Sequence, residues 1–224
     1  ERFSFYGMQG ILLIYLYYTA NQGGLGMDKA LAGGIVGAYG GSVYLSTILG
    51  AWLADRIWGA ERTLFIAGIV VMTGHILLAI VPGLMGLLLG LVFIALGSGG
   101  VKSSAGSMVG SLYEREDLRE LRDAGFSIFY ISINIGGFLG PLLTGILQDR
   151  MGFHYGFGAA AVGMAFGLLW YSRGRKNLPH TPVPNPLRPE KVQTAMAVGV
   201  LLVLVLGSVI ASGALTLENF SRWL

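Results

Sequence analysis

Seven stretches of the chain are almost continuously apolar, and turn residues or charges separate them. They cover about 1–20, 29–54, 62–81, 84–112, 123–147, 154–172 and 191–213. Each approaches the ~20 residues that an α-helix needs to cross a bilayer. The breaks are Asn21 to Gly26, Asp55 to Gly59, Pro82-Gly83, the charged run Tyr113 to Asp123, and Gln148 to Gly152. A Pro-rich basic linker from Arg173 to Pro189 precedes the seventh stretch. Gly, Pro and Asn are the residues that end helices. The pattern predicts an all-α polytopic membrane protein: six transmembrane helices over 1–172, a cytoplasmic linker over 173–190, and an extra transmembrane helix with the start of a loop over 191–224.

Charge fixes the orientation. Arg56, Arg62, Arg115, Arg119, Arg122, Arg173, Arg175, Lys176, Arg188 and Lys191 follow the even-numbered spans, whereas Lys29 and Arg150 follow the odd-numbered ones. The positive-inside rule puts the richer set in the cytoplasm. The first helix then starts inside, and the six-span unit ends inside. Composition agrees: of 224 residues 54% are hydrophobic and 12% charged, about half the charge of a soluble domain. The net charge of +3 comes from these short loops, so no nucleic-acid partner is expected. There is no cysteine, hence no disulfide or thiolate metal site. The chain opens on Glu1 inside a helix, which reads as a piece of a longer protein.

A weak repeat divides the six spans three and three. Leu53-Ala54-Asp55-Arg56-Ile57-Trp58-Gly59 closes the second span, and Leu147-Gln148-Asp149-Arg150-Met151-Gly152 closes the fifth. They fall on opposite membrane faces, as an inverted repeat requires. Asp-Arg-turn-Gly as an ordinary helix stop is the alternative.

Polar residues inside the apolar runs are the candidate site, because an ionised side chain at bilayer depth costs at least about 2.5 kcal/mol. Arg2, Tyr6, Gln9 and Leu13 follow the i, i+4, i+7, i+11 spacing of one helix face. Glu1 and Arg2 are neighbours in sequence, so each is expected to reach a partner on another helix or across the cavity. Lys102 lies deep in the fourth span, either in a structural ion pair or in a transport role. Asn134 shares a face with Phe126 and Tyr130; interhelical bonding and ligand binding are both open to it. Tyr44 has Gly37 and Gly41 on its face. Gly33, Gly37 and Gly41 form a small-residue packing ridge, and the pairs Gly86/Gly90, Gly106/Gly110, Gly136/Gly140 and Gly163/Gly167 are expected to pack helices.

Several chemistries are excluded. The string Gly97 to Ser104 imitates a phosphate loop, but Val101 and Leu96 stand where that loop needs glycine. His75 reads as a packed neutral histidine, and His154 and His180 have no metal spacing. No hydrolase or metalloprotease motif occurs, so an enzyme is not expected, nor is any cofactor.

These segments together resemble the proton-dependent oligopeptide transporter family of the major facilitator superfamily. Glu1-Arg2-Phe3-Ser4-Phe5-Tyr6-Gly7 is similar to the end of its first-helix signature, and Gly50 to Arg62 to the loop motif between helices two and three. Lys102 matches its fourth-helix lysine, and Phe129 to Gly136 its fifth-helix Phe-Tyr-x-x-Ile-Asn-x-Gly motif. Phe5 departs from the signature tyrosine, Gln9 stands where many members carry arginine, and Ser103-Ser104 replaces Pro-Asn.

The resemblance implies a major facilitator six-helix bundle with one inserted helix. It implies a proton-coupled symporter of di- and tripeptides in the cell membrane, completed by a C-terminal six-helix half. A carrier of another small solute or a non-transporting peptide receptor is the alternative. It assigns Glu1, Arg2 and Lys102 to proton coupling and Arg2, Tyr6, Gln9, Tyr44, Lys102, Tyr130 and Asn134 to peptide binding. Gly50, Asp55, Arg56, Gly59 and Arg62 are assigned to a cytoplasmic gating motif.

Overall fold

The computed structural model describes residues 1–114, 116–179, 182–188, 190–194 and residues 197, 199, 201, 204, 205 and 208. Six α-helices follow one another: α1 (Arg2–Tyr17), α2 (Lys29–Leu53), α3 (Ala60–Ile80), α4 (Gly83–Leu112), α5 (Arg122–Met151) and α6 (Phe153–Gly174). Five helical segments, starting with α2, are long and apolar enough to cross a membrane. Residues 190–194 are helical. The expected seventh span over 191–213 otherwise lies largely outside the described residues, as do Arg115 and His180.

Local chemistry explains where the helices begin and end. Asp28 caps α2, its Oδ1 accepting from Ala30 N at 2.8 Å and Leu31 N at 3.4 Å; such a cap satisfies donors that a helix start leaves free. The end of α2 widens into a π-turn, Ala54–Trp58, before Gly59 starts α3. Gly59 (φ 78°, ψ 160°) and Gly152 (φ 101°, ψ 168°) hold nearly the same left-handed conformation between consecutive helices. A side chain there would be strained, whereas glycine enters it freely. The two echoing stretches differ by one residue, and the π-turn absorbs the extra one.

The main packing partners follow the inverted repeat, although α5 packs on α6 with no comparable contact between α2 and α3. α1 packs on α5 as α4 packs on α2, α3 on α4 as α6 on α1, and α3 meets α6 at the centre. With Asp55 aligned on Asp149, Ser46 and Gly50 of α2 stand in register with Gly140 and Thr144 of α5. Each pair does the same work with the order reversed. Ser46 Oγ donates to Ala95 O at 2.6 Å, and Thr144 Oγ1 donates to Gly7 O at 2.8 Å. A Cβ on Gly50 would sit 2.5 Å from Gly100 N, and one on Gly7 would sit 3.2 Å from Gly140 C. Backbones therefore touch at both crossings, and a hydroxyl one turn away ties each. Small residues permit such close approach in membranes, where packing and hydrogen bonds drive association.

Not every glycine stripe packs. Gly33, Gly37 and Gly41 have no neighbour in reach of an added Cβ, and neither have Gly106 and Gly167. The expected ridge on α2 therefore faces open space. The reason is that α2 buries its opposite side, Ala32, Ile35, Tyr39, Val43, Ser46 and Gly50. α5 is the most open helix, burying Gly125, Gly140 and Thr144.

The loops gather at two ends as the charge pattern requires. At one end Tyr15 packs on Phe153 and Phe157, with centroids 5.2 Å apart in each case, and His154 Nδ1 donates to Leu78 O at 3.0 Å. At the other, Arg175 forms a two-pronged ion pair with Glu61, one prong 3.2 Å long. There the linker also crosses the π-turn: Asn185 N donates to Asp55 O at 2.9 Å and Leu187 N to Arg56 O at 3.0 Å. Carbonyls at a helix end have no donor in their own helix, and the linker supplies two.

Candidate functional site

A cavity of about 370 Å³ opens between α1, α2, α4 and α5. Arg2, Phe5, Tyr6, Gln9, Gly40, Val43, Tyr44, Lys102, Tyr130 and Ile133 line it. The polar stripe read on α1 is thus the wall of a cavity. Helical spacing brings Arg2, Tyr6 and Gln9 to one face, while Ser4, Phe5, Gly7 and Met8 are buried. Tyr44 and Tyr130 are exposed, at 74% and 58%, because α2 and α5 turn these faces away from the six-helix core.

Glu1 and Arg2 form an ion pair, Nε to Oε2 at 3.4 Å. This is the pairing that the resemblance implies, made between sequence neighbours and not with another helix or across the cavity. The Glu1 side chain is 8% exposed, and its Oε1 is buried without a hydrogen-bond partner.

Lys102 projects from α4 into the same space. Its ammonium lies 4.6 Å from the centre of the Phe5 ring and 5.0 Å from that of Tyr44. Among the described residues no carboxylate pairs with it. The cavity lining therefore holds two cations, of which Arg2 pairs with Glu1, an arrangement suited to an anionic group of a ligand. Phenols of Tyr6, Tyr44 and Tyr130 and the amide of Gln9 add donors and acceptors without further charge.

Asn134 takes no part in the lining. It lies one turn beyond Tyr130, and its Nδ2 donates to Tyr130 O at 2.8 Å. That bond ties the amide nitrogen to its own helix. The five motif residues lie away from the cavity, at the end where α2 meets α3. Gly50 packs against Gly100, Gly59 makes the left-handed turn, and Asp55, Arg56 and Arg62 flank it in sequence. Among the described residues the ion pair at this end joins Glu61 to Arg175. Sequence reasoning missed that pair, although Glu61 stands beside the motif's Arg62 and Arg175 belongs to the basic linker.

His75 is fully buried, and neither ring nitrogen has a partner. Its packed position agrees with the structural reading of that residue. Phe5, Gly40, Val43 and Ile133 also line the cavity and were not expected there. Phe5 falls on the buried side of α1, and no polar signal marks it.

The inverted six-helix bundle and its charged, phenol-lined cavity define one half of a major facilitator-type membrane carrier. The chain belongs to the POT family, whose sequence profile matches residues 61–219. It is 46% identical over 226 residues to the uncharacterized transporter YclF of Bacillus subtilis, covering 98% of this chain and 45% of that protein. It is 49% identical over 179 residues to the di-/tripeptide transporter of Lactococcus lactis subsp. lactis, covering 78% and 36%. The crystal structure of peptide transporter POT in complex with sulfate superposes with a TM-score of 0.86 at 46% identity. That match covers 98% of this chain and 46% of the other. A variant of that transporter in complex with alafosfalin gives 0.85 at 46% identity, covering 98% of this chain and 45% of that one. The chain spans less than half the length of these relatives.

Proposed function

We propose that this chain is the N-terminal half of a proton-coupled symporter that carries di- and tripeptides into the cell across the cell membrane. The cavity carries the reading: it brings Arg2 and Lys102 together with Tyr6, Gln9, Tyr44 and Tyr130 on the open side of the bundle. A short peptide is a zwitterion, and its carboxylate needs a cation in a medium where an unpaired charge is costly. Arg2 and Lys102 supply two. The phenols and Gln9 grip peptide backbone groups and leave side chains unread, which suits a broad range of peptides. Tyr44 and Tyr130 await a wall on their open side, and a C-terminal six-helix half would provide it.

Coupling follows from the Glu1–Arg2 pair. Protonating Glu1 removes the charge that holds Arg2 and frees the guanidinium for the peptide carboxylate. Peptide and proton then favour the same loaded state, and the two halves rock about the site in alternating access. Asn134 contributes to peptide binding only if its amide turns from its own helix when the cavity fills. Gly50, Asp55, Arg56, Gly59 and Arg62, remote from the cavity, serve the cytoplasmic gate.

The test is uptake by the full-length protein in liposomes under an imposed inward proton gradient. Labelled dialanine should accumulate, and unlabelled di- and tripeptides should compete where single amino acids and nitrate do not. Accumulation of nitrate or an amino acid instead would assign the site to another solute. Binding without accumulation would make the protein a receptor.

A further inference from the structure

The linker after α6 lies along the gating motif. Every second residue from Pro182 to Pro186 is proline, so the segment offers few backbone donors. Two of those that remain reach the end of α2: Asn185 N donates to Asp55 O at 2.9 Å, and Leu187 N to Arg56 O at 3.0 Å. Both acceptors belong to the π-turn, whose own closing bond runs from Gly59 N to Ala54 O at 3.0 Å. Left-handed Gly59 then turns the chain into α3, so the carbonyls after Ala54 have no helical donor ahead of them. The start of the linker is tied to the other side of the same turn. Arg175 grips Glu61 with two prongs, and its guanidinium lies 4.9 Å from the centre of the Phe65 ring. Phe65 stacks on Tyr171 of α6 at 6.2 Å, and the Tyr171 hydroxyl donates to Glu61 O at 3.5 Å. The linker thus leaves from the first turns of α3 and docks on the last turn of α2, with Gly59 between them. Each of these contacts is made within the six-helix unit and its linker.

We propose that residues 182–188 are a strap: docked on the π-turn, they hold the turn of the gating motif in one conformation and tie the α1–α3 and α4–α6 halves of the bundle together at their cytoplasmic end. Proline suits this task. Its ring fixes φ and restricts the residue before it, so Pro182, Pro184 and Pro186 leave the segment little freedom to lose on docking. A proline also has no N–H that docking could strand. The bonds run from backbone to backbone, so the strap recognises the shape of the turn and leaves the Asp55 and Arg56 side chains to the gate. The matching turn at the end of α5 shows the contrast. It closes as an ordinary helix, Gly152 N donating to Gln148 O at 3.0 Å, and among the described residues no backbone amide of another segment donates to it. π-turn and strap therefore occur together at one of the two repeated turns. That this turn serves a gate rests on the function proposed above, whereas the docking does not.

The test compares two variants of the full-length protein at one position. Asn185→Pro deletes a strap donor and Asn185→Ala keeps it; the Asn185 side chain is exposed, so the two differ in the backbone bond. Amide hydrogen exchange, resolved by fragmentation mass spectrometry, is read at Leu187 and at Gly59. In wild type and Asn185→Ala both amides should exchange far more slowly than in an unstructured peptide of the same sequence. Asn185→Pro should speed both about fivefold, the loss expected for one net hydrogen bond. Replacing Leu187 by its α-hydroxy acid, which exchanges the N–H for an ester oxygen, should speed Gly59 alike without a proline ring. Exchange at Leu187 as fast as in the free peptide overturns the docking. Equal Gly59 exchange in wild type and in both donor-deleted proteins overturns the hold on the turn. Proton-driven dialanine uptake by the same preparations separates the strap from the carrier reading. Its maximal rate should fall in Asn185→Pro and not in Asn185→Ala, at an unchanged half-saturation. Donor-dependent exchange in a protein that moves no dialanine upholds the strap and overturns the carrier. Normal uptake with exchange at the free-peptide rate overturns the strap alone.

Discussion

Lys102 and Arg2 stand out in the sequence because a charge inside an apolar run must be compensated, and the structure brings both to one cavity. Removing Lys102 takes away a cation that the proposed carrier uses. Lys102→Ala in the full-length protein should cut concentrative dialanine uptake more than tenfold, about what losing ~1.4 kcal/mol or more of charge-assisted binding gives. Unchanged membrane insertion, checked by fluorescence size exclusion, would show that the loss belongs to the site. Tyr130→Phe removes one phenol hydroxyl on the open side and should raise the half-saturation for dialanine about fivefold with little change in maximal rate. That is the signature of lost ground-state binding. Polar residues were the legible part of the site: Arg2, Tyr6, Gln9, Tyr44, Lys102 and Tyr130 all reach the cavity wall. Phe5 was not legible as a wall, since an aromatic among apolar neighbours looks the same whether it faces lipid, core or ammonium. Asn134 shows the opposite failure. Its amide demanded a partner, and an i−4 carbonyl satisfied the demand locally.

At the level of helices, apolar run lengths located α1 to α6 to within a few residues, because Gly, Pro and charged turns end each run. The π-turn at Ala54–Trp58 was not foreseen; one extra residue in an Asp-Arg stop carries no pattern of its own. Glycine spacing marks the crossings at Gly50 and Gly140, whereas Gly37 lies on the face of α2 that no described helix covers. The crossing makes a prediction. Gly50→Val should destabilise the full-length protein by about 2 kcal/mol or more, since overpacking at a close backbone crossing forces the helices apart. Thermal unfolding in detergent measures it, and an unchanged midpoint would contradict the crossing. The Glu61–Arg175 pair belongs to the same scale. It is partly exposed, with side chains 20% and 37% accessible. Arg175→Gln should therefore lower stability by only about 1 kcal/mol. Reversing both charges together should recover most of that loss.

Across the whole molecule, the inverted repeat ties the two ends to the site. Equivalent crossings, α1 on α5 and α4 on α2, put the Glu1–Arg2 pair and Lys102 on walls of one cavity from the two halves of the repeat. The Asp-Arg echo pointed to this arrangement, and the matched backbone of Gly59 and Gly152 bears it out. The central claim is that Glu1 moves the coupling proton while the cavity binds peptide. Glu1→Gln mimics the protonated state permanently, so the variant has no proton to exchange yet retains the cavity. One reconstituted full-length preparation, assayed for gradient-driven accumulation and for dialanine exchange at equal pH, measures both activities. The account predicts that Glu1→Gln loses accumulation and keeps exchange near the wild-type rate. If Glu1→Gln still concentrates dialanine under an imposed proton gradient, Glu1 is not the coupling group, and its contact with Arg2 is a structural ion pair.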